Sequence, residues 1–354
     1  MKKLLIILFL AATIGLQAQE FNFIEPEQYL CYKIDHDFTI DGNINKTEWQ
    51  KADWTHLFVD IEGRDFKKPY YNTRAKMQWS DQYLYFAFEL KDHHIWANIT
   101  QKDAVIFHDN DIEIFIDANG DTHNYLELEL NALNTVWDLF LTKPYREGSP
   151  VLNEFDFVGL QTAVQINGTL NNPHDEDDSW TVEVAIPWSN LVTTFTHRRL
   201  PHHGENMRMN FSRVQWETQV VDDKYEKVRN PETAKPLPEN NWIWSPMGVI
   251  DMHRPELWGI VTFVDQPINQ SFFNKDEEIL RQLLSHIYKV QRSEYRKTGK
   301  YFHTPDQLNI TNELLAKYNI HMDVLEYSFE LKGSTPDNKV SYYCNTEGRL
   351  VKIQ

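Results

Sequence analysis

Only two cysteines, Cys31 and Cys344, occur in 354 residues, so the chain can form at most one disulfide. They stand near the two ends of the mature chain. In an oxidising compartment they either pair, constraining the unfolded chain by on the order of 5 kcal/mol in the loop-entropy account, or remain two separate buried thiols. Basic residues are scarce too, 35 Lys and Arg against 52 Asp and Glu, for a formal net charge of −17. Without Lys2 and Lys3, which belong to the leader described below, 33 basic residues face 52 acidic ones, a net charge of −19. Such a field repels nucleic acid and anionic membrane, and it suits neutral ligands or divalent cations. Beyond the leader no segment approaches eighteen consecutive apolar residues, so no membrane insertion is expected of the mature chain. Catalytic signatures are missing as well: there is no Gly-x-Ser-x-Gly elbow, no P-loop and no dinucleotide fingerprint. His93-His94, His202-His203 and His253 have neither helical i, i+4 spacing nor a cysteine cluster nearby, which leaves a zinc site unsupported.

What is present begins with a leader. Residues 1–18 hold Lys2 and Lys3, an apolar run from Leu4 to Leu16, and Leu16-Gln17-Ala18 as a small-residue cleavage signal. This is the pattern of a cleavable secretory signal peptide, too short for a stable span, and it implies a secreted or periplasmic protein. No cysteine follows the cleavage point directly, so lipid attachment there is unsupported.

With 41% apolar and 13% aromatic residues, the rest is ample for a packed core. Between Trp180 and Trp188 strict alternation puts Trp180, Val182, Val184, Ile186 and Trp188 on one face of a strand. The same period of two recurs in Arg74 to Trp79, Tyr83 to Leu90, Ile112 to Asp117 and Tyr125 to Leu130. Turn-forming residues punctuate these segments at Gly63, Asn119-Gly120, Gly148-Ser149-Pro150, Asn167-Gly168 and the Pro-bearing stretch Asn230 to Asn241. Residues 19–268 therefore read as an all-β, antiparallel β-sandwich, with Trp49, Trp79, Trp180 and Trp188 in its core.

After residue 268 the period changes. Asn274 caps a helix with Glu277 three residues on, and Ile279, Leu280, Leu283, Leu284, Ile287, Tyr288 and Val290 form its apolar face until Gly299. Thr304-Pro305 opens a second short helix and Thr311 to Tyr318 a third. Lys339 to Cys344 and Arg349 to Ile353 flank a turn as a hairpin. Residues 269–354 are thus expected to form a small α+β appendage.

On the β segments the outward parity is the more telling one. It collects Arg74, Lys76 and Gln78, then Glu113, Phe115 and Asp117, then Glu127, Glu129 and Asn131. If these strands share a sheet, that face is charged and amide-rich with one ring in it. Such a surface either exchanges hydrogen bonds with sugar hydroxyls while a ring packs on the pyranose C–H face, or is an ordinary solvated face.

Several blocks in order resemble the family 9 carbohydrate-binding module. They are Ile40-Asp41-Gly42-Asn43-Ile44 with Glu48-Trp49 and Ala52, Ala75 to Tyr85, Asn110 to Asp117, Trp180 to Trp188, Gly204 with Asn210-Phe211-Ser212-Arg213, and His253-Arg254-Pro255-Glu256 with Trp258-Gly259. The resemblance implies a sugar-binding β-sandwich over about residues 38–263, often attached to or accompanying extracellular polysaccharide hydrolases. In sugar-binding members two tryptophans sandwich the terminal sugar while an arginine and a glutamate fix its hydroxyls. Carried over, the glutamate is Glu113, the first tryptophan falls at or near Phe107, the second at or near Met252, and the arginine near Glu129. Arg213 then either replaces the missing arginine or forms a structural salt bridge with Glu113 or Glu129. Trp96, Trp137, Trp216, Trp242 and Trp244 are the candidate replacement rings.

Relatives also bind calcium structurally, and Asp117-Ala118-Asn119-Gly120-Asp121 offers hard oxygen ligands around a tight turn, though the same residues make a plain hairpin turn. No other cofactor is expected. The leading expectation is a non-catalytic carbohydrate-binding protein, accessory to extracellular polysaccharide or oligosaccharide breakdown. Its rivals are a glycoside hydrolase acting on O-glycosyl bonds, and a structural or interaction sandwich that has lost its sugar site.

Overall fold

The computed structural model describes residues 20–191, 199–266, 268 and 272–353. The expected leader, residues 1–18, lies outside them, and so do residues 267 and 269–271, where the appendage was expected to begin. Among the described residues no helix is long and apolar enough to cross a membrane.

The period of two becomes strands. In chain order they are β1 (Gln28–Lys33), β2 (Val59–Asp60), β3 (Thr73–Trp79), β4 (Tyr83–Lys91), β5 (Asp111–Asp117), β6 (Tyr125–Asn131), β7 (Val136–Leu141), β8 (Val151–Leu152), β9 (Gln161–Asn167), β10 (Ser179–Pro187), β11 (Glu205–Gln215), β12 (Thr218–Val221), β13 (Lys224–Lys227), β14 (Asn240–Ile243) and β15 (Gly259–Val264). All but β12 and β13, which pair with each other, join one sheet in the order β8, β7, β6, β5, β11, β15, β1, β3, β4, β10, β9, with β14 beside β11 and β2 beside β14. The sheet curls into a sandwich, because the even positions of β5 and β6 and the odd positions of β3 are apolar and need a common cover. Ile112, Ile114 and Leu128 from one half meet Met77, Phe88 and Val182 from the other in a single core. Trp79, Trp180 and Trp188 lie in that core, whereas Trp49 packs with Tyr85 and Ala185 on the outer side of the β10 half. Hairpin pairs such as β3 with β4 and β5 with β6 are antiparallel. Strand β1 is parallel to both of its neighbours, β15 and β3.

This curl corrects one expectation. Strands β3 and β5 belong to opposite halves, so Arg74, Lys76 and Gln78 share no surface with Glu113. Arg74 pairs instead with Glu89 at 2.6 Å, and the Lys76 ammonium donates to the Trp49 carbonyl at 2.7 Å.

Helix α1 (Trp188–Leu191) follows β10. The long helix α2 (Lys275–Thr298) runs where the apolar stripe placed it. Asn274 accepts from the Glu277 amide at 3.2 Å, and Gly299 ends the helix at a φ of 72°, a left-handed conformation that costs glycine little. The segment after Thr304 makes only a 3₁₀ turn, and α3 (Asn312–Lys317) follows. Strands β16 (His321–Val324), β17 (Phe329–Ser334), β18 (Ser341–Asn345) and β19 (Leu350–Lys352) form a four-stranded antiparallel sheet. Leu280, Leu284 and Ile287 of α2 pack on Phe329, Leu331 and Tyr342 of this sheet in a core of their own. The unit docks on the sandwich through Arg208 with Glu278, Arg349 with Asp121 (2.7 Å), and Gln282 with the backbone of Ile24 (2.7 Å).

The two cysteines do not pair. Cys31 is buried in the sandwich core and Cys344 in the C-terminal core, each a free thiol whose ionisation burial pushes up. Each thiol fills apolar space, which is what a buried cysteine without a partner does.

Candidate functional site

On β5 the sequence Asp111-Ile-Glu-Ile-Phe-Ile-Asp117 divides cleanly by parity. Ile112, Ile114 and Ile116 enter the sandwich core, while Asp111, Glu113, Phe115 and Asp117 face the opposite side. That side is covered rather than solvated. At its Asp117 end lie Arg281 of α2 and Arg349, and over Phe115 sit Met247, Met252 and Trp258 in a second apolar cluster. Only toward Glu113 does the cover part, leaving a cavity of about 580 Å³. Phe115 and Leu139 form its apolar part, Glu113, Glu127 and Glu129 its acidic wall, and Trp137 one flank. At the rim stand Tyr145 and Arg146 of a 3₁₀ turn. Helix α2 holds that turn in place: Tyr288, Lys289 and Arg292 all contact Glu147.

Four of the five residues singled out as ligand-binding meet here. Phe107, Glu113, Glu129 and Met252 all line the cavity. Glu129 lies directly opposite Glu113 in the β5–β6 register, and its carboxylate accepts the Phe107 amide at 3.0 Å, which fixes the turn carrying that ring. Met252 is held from behind, its carbonyl accepting the Trp258 indole N–H at 2.8 Å.

Arg213 is the exception. It shares parity with Met209 and Phe211 and points to the core side of β11, away from the cavity. Its guanidinium pairs with Asp92 at 2.8 Å, donates to the Lys91 carbonyl at 2.8 Å, and lies between the rings of Tyr71 and Trp242. It is a structural cation capping the end of the core and pairs with neither Glu113 nor Glu129. Its β11 neighbour Ser212 is the residue that faces Glu113. Of the candidate rings, Trp137 alone lines the cavity; it stands across from Glu129 on β7. Trp96 and Trp216 pack with Val214, and Trp242 and Trp244 join the main core.

The residues expected as a calcium-ligand set, Asp117, Asn119 and Asp121, are tied together within their own turn. The Asp117 carboxylate already accepts the Gly120 and Thr122 amides at 2.9 and 2.8 Å. Asp121 accepts the Asn119 amide at 2.9 Å and the His123 backbone N–H at 2.9 Å, and Arg349 supplies the positive charge. The loop is a self-satisfied turn. Among the described residues the acids whose oxygens do converge are Asp111, Glu113 and Glu129, all buried and all within 4.8 Å of one another.

Their electrostatics follow from burial without counter-charge. Burial pushes the Glu113 carboxyl up to about 7, the neighbouring Ser212 hydroxyl opposing the shift. Burial, and then the charge of Glu113, drives Glu127 and Glu129 well above the ordinary carboxylate range. His253, donating to or accepting from the Tyr125 hydroxyl at 2.7 Å, is held neutral: burial, and then Arg146, lowers it to about 3. The cavity thus combines apolar walls, aromatic edges and a bank of acceptors.

Residues 40–265 match the profile of the carbohydrate family 9 binding domain-like family. The chain belongs to that family. Exoglucanase XynX of Acetivibrio thermocellus is 26% identical over 153 residues, 43% of this chain and 12% of that protein, so the chain spans a small fraction of this relative's length. A solved candidate carbohydrate-binding protein of Bacteroides uniformis aligns over 68% of this chain and 100% of its own, with 16% identity and a TM-score of 0.48. A family 9 carbohydrate-binding module of Caldicellulosiruptor kristjanssonii, solved with cellotriose, aligns over 69% and 100%, with 17% identity and a TM-score of 0.40. The family 9 profile ends at residue 265, before α2, so the helix that braces the cavity rim belongs to the segment outside it.

Proposed function

We propose that this chain is a secreted, non-catalytic carbohydrate-binding protein, accessory to the breakdown of extracellular polysaccharides or oligosaccharides. The observation that carries the reading is the meeting of Glu113, Glu129, Phe107 and Trp137 around one cavity of about 580 Å³ in a chain of the family 9 binding domain-like family. The carboxyl groups take hydroxyl hydrogen bonds, and Phe107 or Trp137 packs on the apolar face of the ring. A site that covers one or two sugars buries little area, so binding is weak, on the order of micromolar to millimolar.

Isothermal titration against a panel of oligosaccharides tests this. Heat is expected with at least one neutral glycan, and Glu113→Ala and Phe107→Ala each weaken it tenfold or more. No heat with any glycan, or wild-type affinity in both variants, sinks the reading. One observation favours a hydrolase instead: the carboxyls of the cavity are pushed toward the range where a general acid works. That reading requires released reducing sugar, abolished by Glu113→Gln or Glu129→Gln.

A further inference from the structure

Resting on the carbohydrate reading above, we propose that Asp111, Glu113 and Glu129 hold a divalent cation of calcium's size, whose open coordination positions face the cavity and take up sugar hydroxyls. Three observations carry this. First, one oxygen from each carboxylate lies within 4.8 Å of the others, and ligands of a calcium ion, each about 2.3–2.6 Å from it, fall within about 5 Å of one another. The cross-strand register explains the spacing: Glu129 is opposite Glu113, and Asp111 is diagonal to it on the same face.

Second, polar atoms around the cluster have no partner. Asp111 is 0% exposed, yet neither of its carboxylate oxygens has a partner at hydrogen-bond distance; the Val214 backbone beside it opposes its burial, and the Ser212 hydroxyl serves Glu113 instead. Buried polar groups are nearly always satisfied, and an orphaned pair of carboxylate oxygens beside two further buried carboxyls marks a place where an ion or its water belongs. Third, no Lys or Arg forms an ion pair with any of the three acids among the described residues. Lys227, on which the charge of Asp111 acts, lies instead over the Trp216 ring at 3.3 Å. Three carboxylates supply part of the six to eight oxygens calcium takes, and Glu113 and Glu129 line the cavity, so the remaining positions open where a ligand enters.

Trp137 provides the probe, because it stands in register beside Glu129. The full chain, stripped with EDTA, is titrated with CaCl2 by calorimetry and with terbium under tryptophan excitation. Expected are a calcium Kd on the order of 10⁻⁴ M, sensitised terbium emission that calcium displaces, and a raised Tm in calcium. Asp111→Asn and Glu129→Gln each weaken the ion at least tenfold, and Trp137→Phe dims the emission. Glycan affinity is at least tenfold higher in calcium than in EDTA. No calcium heat and no Tm shift in the wild type overturns the inference, whatever the variants do, and so does unchanged calcium affinity in both carboxamide variants. Glycan binding that is equal in calcium and EDTA overturns the cation's role and leaves the carbohydrate reading standing. Calcium bound at this cluster with no glycan heat in either buffer sinks the carbohydrate reading and the sugar contact with it.

Discussion

Glu183 on β10 and Asp111 on β5 are both carboxylates with 0% exposure on the outward face of a sandwich strand, and they have opposite surroundings. Glu183 accepts the amides of Asp41 and Gly42 at 2.9 and 2.8 Å, the Lys46 ammonium at 2.8 Å and the Trp49 indole at 2.6 Å. Asp111 has no side-chain donor, only the Val214 backbone beside it, and its neighbours are Glu113 and Glu129. The first is what a structural buried acid looks like: its charge is met by four donors, and it ties the Asp41-Gly42 turn and Trp49 to the sheet. The second is an acid kept without a counter-charge or side-chain donor among other acids, which costs the fold energy that only an ion, a proton or a ligand returns. Burial alone therefore does not separate a structural carboxylate from a functional one; the donors around it do.

The largest expected effect tests the satisfied side. Glu183→Ala leaves the Trp49 indole and the Asp41 and Gly42 amides without their acceptor and Lys46 with Asp41 as its one remaining carboxylate, and should cost about 3–5 kcal/mol in urea unfolding. Stability within about 1 kcal/mol of the wild type would erase the contrast. On the unsatisfied side the sign reverses. In EDTA, Glu113→Gln should stabilise the protein at pH 8 by about 1–3 kcal/mol, because the folded carboxyl, pushed up to about 7, must ionise there without a counter-charge. The unfolded chain releases this proton near the ordinary glutamate value while the folded protein still holds it. The wild type therefore loses stability relative to Glu113→Gln as pH rises from about 4.5 through about 7, and the two converge below that window. Parallel melting curves from pH 4 to 8 would contradict the assignment. The smallest effect sharpens the open end alone: Phe107→Trp should tighten glycan binding by about 0.5–1 kcal/mol through a larger stacking face, with Tm unmoved.

How much of this was legible follows the same lines. Parity on β5 and β6 separated Ile112, Ile114 and Ile116 from Glu113 and Phe115 with no structure at hand, because those strands have one thoroughly apolar face. It gave no warning that the other face is covered, since the cover comes from Met247, Met252 and Trp258, more than a hundred residues away. Strand β7 was missed for a physical reason: Val136 and Phe140 pack on the main core while Leu139 and Leu141 join the second cluster, so both faces are apolar and no alternation survives. With β7 unrecognised, Trp137 could not be singled out from the other tryptophans. Arg213 could have been placed by its parity with Met209 and Phe211, but its partner Asp92 is a long-range contact that no local pattern announces. Helix α2 was readable to its caps, whereas its grip on Glu147 at the cavity rim was not.

Strand β1 is registered with β15 along five residue pairs, Gln28 with Ile260 through Tyr32 with Val264, and with β3 along only two, Tyr32 with Gln78 and Lys33 with Trp79. The first described strand is thus held mainly by the last strand of the sandwich, made some 230 residues later. Until residue 264 emerges, β1 has a bare edge and the barrel-like curl stays unlatched, a long-range closure of the kind that slows folding. A chain cut anywhere before Gly259 should therefore lose the latch at both termini at once, not merely its final segment.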